Sequence, residues 1–272
     1  MPEGDTIHKH AAHLQARLVG QKATAVFARG VEYRRLAGAV IAKAEAHGKH
    51  LFIDVGEARL HVHLGMYGRL FLQDPRSVTT FKAARASLAI LGERDAAMFW
   101  RVPTVEVLRA AFAHSHPALQ TLGPDVLADD FDVAIAVARA RARPPTTQLG
   151  VLLLDQRVAA GIGNVYKSEV LFLERLDPFA PVSSVDDATL TQLYAHSREL
   201  MLKNLGPWRR TTTADLTRGG FGPRGSARVF VYRRAGHPCR VCNTAILSAS
   251  QGETPRKTYY CPRCQLRRPP AA

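Results

Sequence analysis

No apolar run in this 272-residue chain approaches the roughly 18 residues that a membrane-spanning helix needs. The opening M-P-E-G-D-T-I-H-K-H also lacks the basic and apolar regions of a secretory signal, so a cytoplasmic protein with no membrane partner is expected. Cysteine is absent before Cys239, and its confinement to the end of the chain argues against a distributed disulfide framework. Acidic residues are scarce: 23 Asp and Glu stand against 37 Lys and Arg, for a formal net charge of +14. Such an excess favours polyanionic partners, nucleic acid first, but does not separate an enzyme from a binding module.

The length suggests two domains. Residues Asp5 to Leu18 place Ile7, Ala11, Leu14 and Leu18 at helical spacing, with Asp5 or Thr6 as N-cap and Gly20 beyond. Strand-like runs follow at 24–28, 50–55, 59–72, 86–91 and 96–102, so this half is predicted to be β-rich, with two packed sheets. From Leu122 the pattern turns helical, near 131–142, 147–157 and 186–204. The stretch Thr217 to Arg228, rich in Gly and Arg, reads as a mobile basic loop. The fold class is α+β and multidomain, divided as 1–121, 122–228 and 229–268.

Cys239/Cys242 and Cys261/Cys264 are two C-x-x-C pairs, the spacing of a tetrahedral structural zinc site with one knuckle per pair. Four thiolates leave no open coordination position, so one zinc should fold the module and not catalyse. The flanks V-F-V-Y-R-R and R-K-T-Y-Y alternate as strands and predict a hairpin whose tip carries Arg256 and Lys257, cations suited to phosphate.

If Met1 is removed, Pro2 becomes a secondary amine, and an α-amino group titrates near pKa ~8, so a neutral fraction exists at physiological pH. Such an amine can attack the anomeric carbon of a deoxynucleotide, expel the base and leave an iminium that promotes elimination of the attached phosphates. Glu3 could move protons beside it, and a helix N-terminus would favour a nearby phosphate. Taken alone, Pro-Glu-Gly is a common solvated start, and a lysine such as Lys49 is usually a surface residue.

Read together, M-P-E-G-D-T, H-G-K-H-L-F, H-L-G-M-Y-G, L-L-L-D-Q-R-V-A-A-G-I-G-N-V-Y-K-S-E-V-L-F and the tail T-Y-Y-C-P-R-C-Q resemble the formamidopyrimidine-DNA glycosylase and endonuclease VIII family, and the start is more similar to the endonuclease VIII branch. The resemblance implies a β-sandwich flanked by helices, then a helix-two-turn-helix domain with a zinc-finger β-hairpin, DNA crossing a cleft. It implies a monomeric glycosylase and lyase acting on damaged DNA, with Pro2 forming a Schiff base, Glu3 donating a proton, Lys49 assisting β-elimination and Arg256 serving δ-elimination. Asn164, in G-I-G-N, would hold a phosphate, although by its position it could equally be a helix cap. His63, Met66 and Tyr67 of H-L-G-M-Y-G join Lys257 as DNA-binding candidates, Met66 and Tyr67 filling the gap left by an extruded nucleotide. Strand alternation would instead send Met66 and Tyr67 to opposite faces, with Met66 in the core, unless Gly65 and Gly68 bend the chain.

Departures from the family pattern bear on substrate. Thr6 replaces a second glutamate, Gly65 replaces a glutamine of the intercalating triplet, Thr121 replaces an arginine, and R-D-A-A-M-F-W stands where formamidopyrimidine glycosylases carry D-P-R-R-F. Oxidised pyrimidines are therefore expected over 8-oxoguanine. The competing readings are a glycosylase for oxidised purines, a non-catalytic zinc-finger protein that binds damaged DNA, and a zinc-ribbon protein of RNA metabolism. The last leaves Pro2, Glu3 and Lys49 without a purpose.

Overall fold

The computed structural model describes residues 2–109, 117–206, 210–213 and 228–266. The chain divides into two compact units, Met1–Thr121 and Leu122–Ala272.

The first unit opens with α1 (Gly4–Arg17), whose Ile7, Ala11 and Leu14 are buried at helical spacing. Its N-cap is Glu3, not Asp5 or Thr6: the Glu3 backbone is extended and its carbonyl accepts from the N–H groups of Thr6 and Ile7. The strands that follow are β1 (Ala23–Ala28), β2 (Val31–Glu32), β3 (Ile41–His47), β4 (His50–Val55), β5 (Ala58–His63), β6 (Arg69–Gln73), β7 (Leu88–Gly92), β8 (Ala96–Trp100) and β9 (Thr104–Arg109), with α2 (Thr80–Arg85) before β7 and α3 (Pro117–Gln120) after β9. They form a five-stranded sheet, β2-β1-β7-β8-β6, and a four-stranded sheet, β3-β4-β5-β9. All these pairings are antiparallel.

Alternation explains the sandwich. Leu51, Ile53 and Val55 of β4 and Leu60 and Val62 of β5 join Val26, Leu88, Ile90, Ala97 and Phe99 of the other sheet in one buried cluster, closed by the apolar stripe of α1. A smaller cluster, Phe27, Ala89 and Met98 with Ala83, packs α2 on the outer face of the five-stranded sheet. The predicted run 59–72 is two strands, broken by a turn at Gly65–Tyr67. Strands β3 and β9 escaped prediction because their charged residues, such as Lys43, Glu45 and Glu106, interrupt the apolar signal.

The second unit contains α4 (Val133–Arg141), α5 (Leu149–Leu152), α6 (Asn164–Leu173) and α7 (Asp187–Leu202), then the hairpin β10 (Leu247–Gln251) and β11 (Arg256–Tyr260). Asp132 and Asp186 cap α4 and α7 through the N–H groups of Ala134 and Thr189, each at 2.8 Å. The helix expected over 147–157 shrinks to four residues, because Gln156 turns its amide onto the carbonyls of Leu154 and Ile162 and directs the chain into the turn before α6. Helix α6 has no apolar stripe to reveal it: every residue from Asn164 to Phe172 is buried, including Lys167, Ser168 and Glu169.

The hairpin also differs from expectation. V-F-V-Y-R-R is not a strand; the N–H groups of Phe230, Val231 and Tyr232 donate to the Glu169 carboxylate at 2.7, 2.8 and 2.7 Å instead of to a ladder. The true partner of β11 is β10, with Gln251 opposite Arg256 and Ser250 opposite Lys257. Most of the expected basic loop, 217–227, lies outside the described residues.

Candidate active site and metal centre

In the first unit, Pro2 is half-buried and Glu3 is fully buried at the start of α1. Helix α1 packs on β3 and β4, the strands whose turn carries Lys49. Gly48 makes that turn with a φ of 57°, a left-handed conformation that suits glycine. The fold brings His63 to Lys49: His63 Nδ1 donates to the Lys49 carbonyl at 2.9 Å.

Around this turn the outward face of the four-stranded sheet is polar. His50 lies opposite His63 and His61 opposite Glu106 in the strand register. His50 Nδ1 is 2.8 Å from His61 Nε2, and His61 Nδ1 is 2.6 Å from Glu106 Oε2. The imidazole of His50 stacks on those of His61 and His63 with centroids 5.1 and 4.9 Å apart. Burial, then the neighbouring His63, His61, His47 and Lys49, lowers the His50 pKa to about 3. Sequence reading passed over His50, His61 and Glu106; the H-x-H spacing of His61 and His63, two residues on one strand face, was the available signal.

Met66 and Tyr67 are 47% and 68% exposed on the turn between β5 and β6, so neither is a core residue. The glycines bend the chain as that outcome required. Gly65 has a φ of 59°, and the Gly68 N–H closes the turn onto the Leu64 carbonyl at 2.9 Å. A Cβ on Gly68 would sit 2.2 Å from that carbonyl oxygen, which leaves no room for a side chain.

In the second unit, the ligand atoms of Cys239, Cys242, Cys261 and Cys264 all lie within 4.8 Å of one another, and all four thiols are free. Tetrahedral zinc with bonds of about 2.3 Å sets its sulfurs about 3.8 Å apart; the pairs Cys239–Cys264 and Cys242–Cys261 stand at 3.9 and 3.4 Å. The N–H groups of Val241 and Cys264 point at Cys239 Sγ and Cys261 Sγ, each at 3.4 Å, as knuckle amides do toward thiolates. Hydrogen bonds from Thr244 lower Cys242 to about 6, whereas burial raises Cys261 and Cys264. A bound cation resolves that conflict by favouring four thiolates at once, so the donor set fits one structural zinc.

Arg256 and Lys257 are exposed at the tip end of the hairpin. Asn164, the first residue of α6, does not cap it, since the N-cap is Gly163. Its Nδ2 donates to the Lys257 carbonyl at 2.8 Å, and its Oδ1 is buried without a hydrogen-bond partner. One turn on, Lys167 Nζ, wholly buried, donates to Thr258 Oγ1 at 2.7 Å, and that hydroxyl donates to Gln251 Oε1 at 2.7 Å. Glu169, also accepting from Thr212 Oγ1, ties the chain before the first cysteine pair to the same helix; burial raises its pKa. Sequence reading missed Lys167, Glu169, Thr258 and Gln251, although the segment V-Y-K-S-E lies within a motif it quoted.

Three family models match the chain: the formamidopyrimidine-DNA glycosylase N-terminal domain over 1–100, the formamidopyrimidine-DNA glycosylase H2TH domain over 122–214, and the zinc finger found in FPG and IleRS over 236–267. Among curated relatives, the DNA-(apurinic or apyrimidinic site) lyase Nei2 of Mycolicibacterium smegmatis is 38% identical, the match covering 97% of this chain and 99% of that protein. Endonuclease 8 2 of Mycobacterium tuberculosis is 38% identical over 97% and 100%, and the formamidopyrimidine-DNA glycosylase of Methylococcus capsulatus is 32% identical over 85% and 83%. Among solved structures, the Lactococcus lactis Fpg in complex with DNA containing an abasic site superposes with a TM-score of 0.78 at 24% identity, covering 98% of this chain and all of that one.

Proposed function

The chain belongs to the formamidopyrimidine-DNA glycosylase family, on its endonuclease VIII-like side, and from that membership we infer its activity: it is a DNA glycosylase and abasic-site lyase of base excision repair. The observation that carries this reading is the 38% identity, over nearly the full length, to a named abasic-site lyase, together with all three domains of the family in order. Its chemistry fits the residues present. The Pro2 amine, once Met1 is removed, adds to C1′ of the damaged nucleotide while the base leaves as its glycosidic electrons are taken up with a proton. The Pro2 nitrogen then gives up its own proton and its lone pair opens the C1′–O4′ bond to form the iminium, and Glu3, buried at the start of α1, is suited to supply a second proton to O4′ of the opening sugar. The iminium then acidifies C2′, and loss of a C2′ proton expels the 3′ phosphate, with Lys49 assisting. A second elimination expels the 5′ phosphate, served by Arg256.

Zinc has no part in these steps. The four cysteines hold one structural zinc, which stabilises the segment that bears Arg256 and Lys257. Asn164, His63, Met66, Tyr67 and Lys257 serve DNA binding, and the partner is damaged DNA. The working division is 1–121 for catalysis, 122–228 for helical DNA binding and 229–268 for the finger. Among the described residues no helix is long and apolar enough to cross a membrane; a monomer in the bacterial cytoplasm fits the family. Oxidised pyrimidines are the preferred lesions, a reading favoured by the higher identity to endonuclease 8 proteins than to the formamidopyrimidine glycosylase.

Borohydride reduction in the presence of an abasic or thymine-glycol duplex tests this reading. Processed protein should be trapped covalently on DNA, and protein with an uncleaved N-terminal extension should not. Full trapping with Met1 verified in place would remove Pro2 as the nucleophile and direct attention to Lys49. Absence of trapping in the processed protein would favour the non-catalytic DNA-binding alternative.

A further inference from the structure

The histidines beside Lys49 are joined in a hydrogen-bonded chain with a fixed direction. A carboxylate only accepts, so the 2.6 Å contact to Glu106 places a proton on His61 Nδ1. With His61 in its neutral form the lone pair lies at Nε2, and the 2.8 Å contact then places the proton of His50 on Nδ1. The lone pair of His50 is left at Nε2. His63 is set in the same way: the Lys49 carbonyl accepts from its Nδ1, which leaves a lone pair on its Nε2. The two stacked rings of His50 and His63 thus both carry bare Nε2 atoms next to the lysine.

This arrangement conflicts with DNA binding at that strand end. A neutral Nε2 repels a phosphate oxygen, whereas a protonated one donates a charge-assisted hydrogen bond. The free protein holds His50 neutral. Around it stand His47 from β3, Lys49 from the turn before β4, His61 and His63 from β5, and, through His61, Glu106 from β9. The buried end of the chain is well placed to answer a change. His61 is 2% exposed, stacks on Phe52 at 5.0 Å, and links His50 to the Glu106 carboxyl group, whose own side chain is 40% exposed.

We propose that Glu106, His61 and His50 form a proton-uptake relay: a DNA phosphate docking at the His50–His63 pair draws a proton from solvent onto His50 Nε2, and Glu106, acting through His61, stabilises the imidazolium. No covalent bond breaks, and the proton comes from the buffer. His61 and Glu106 are positioning residues, and the proposal rests on the reading that the Lys49 end of this sheet meets DNA.

Calorimetric titration of the zinc-loaded, processed protein with a duplex carrying a tetrahydrofuran abasic analogue tests it, run in two buffers of different ionisation enthalpy. The dependence of the observed heat on the buffer counts protons taken up. Wild type should bind on the order of one proton near pH ~6 and fewer near pH ~8. Glu106→Gln keeps an oxygen that accepts from His61 Nδ1 but removes the charge, so uptake at the lower pH should fall by more than half; His61→Phe should do the same. Should His61→Phe fail to fold, Glu106→Gln decides, because its hydrogen bond is preserved. Binding with wild-type proton uptake in Glu106→Gln overturns the relay and leaves the glycosylase reading intact. Failure of the wild-type protein to bind the duplex overturns the underlying DNA reading and the relay with it.

Discussion

In Met1–Thr121, the side chains singled out for chemistry sit at the start of α1, on turns and at strand ends, all attached to a large apolar core. In Leu122–Ala272, Arg256 and Lys257 stand on a hairpin module whose own cluster has five buried residues, Phe172, Val231, Cys239, Ile246 and Cys261. Two of those are metal ligands and one belongs to α6. A module this small cannot order itself by apolar burial alone; the cysteines and the buried polar links from Asn164, Lys167 and Glu169 supply the rest. The comparison shows two ways to hold a functional side chain still: hydrophobic closure in one unit, metal and hydrogen bonds in the other.

The largest expected effect follows from removing the metal. Zinc binding to a structural four-cysteine site contributes on the order of 10 kcal/mol to the folded module, so chelation or Cys261→Ser should abolish DNA cleavage. Hydrogen exchange should show β10 and β11 losing protection while β4 and β5 keep theirs. Metal analysis should give one zinc per chain before chelation. Cleavage that survives complete zinc removal, or loss of protection in the first unit, would break the contrast.

Acid should weaken the first unit through a different set of groups. His50 and His10 are held neutral in the folded first unit, chiefly by burial, with pKa values of about 3 and about 4 against 6.5 unfolded. Between those values the unfolded chain binds more protons than the folded one, so stability is present above about 6.5 and is lost as pH falls toward the folded pKa values. Linkage makes each histidine worth about 2 kcal/mol between pH ~7 and pH ~5. Denaturant titrations followed in the first unit should show the midpoint dropping over that range, and His50→Gln should remove about half of the dependence. A midpoint that does not move over the same range would contradict the burial of both rings.

The same contrast explains what could be read from sequence. Elements with one wet face were legible: α1, β4 and α7 carry their apolar residues at the period of their structure. The C-x-x-C pairs were legible because ligand spacing is set by coordination geometry and not by packing. Helix α6 was not, because it is buried all round and its polar residues face protein, where periodicity has no water-facing side to register. V-F-V-Y-R-R misled for a related reason. Its alternation is that of a strand, yet its amides are taken by a carboxylate far earlier in the chain, a partner that no local pattern announces. At the candidate site, the motif residues were nameable through resemblance, while of the groups that orient them His61 had only its H-x-H spacing as a signal, and Glu106, Lys167 and Glu169 emerge from tertiary pairing.

The smallest effect separates two roles for Asn164. Resemblance assigns it a phosphate, but its Nδ2 already donates to the Lys257 carbonyl, so only its second amide hydrogen is available for DNA. If phosphate is its main partner, Asn164→Ala and Arg256→Ala remove separate contacts, each costing about 1–3 kcal/mol of binding, and the losses add. If its main work is to hold the hairpin, Asn164→Ala leaves a carbonyl unpaired, loosens the strand that carries Arg256, and the double variant loses less than the sum. The hydrogen bond to Lys257 supports the second outcome. Arg256→Ala should lower the slope of log affinity against log salt by about one, whereas Asn164→Ala should weaken binding with little change in slope. Asn164→Asp should bind more weakly than Asn164→Ala, since a carboxylate cannot donate to the carbonyl and would also face the phosphate. Strict additivity, with Asn164→Ala changing the salt slope, would return Asn164 to the phosphate and leave Lys167, Thr258 and Glu169 as the links that hold the hairpin.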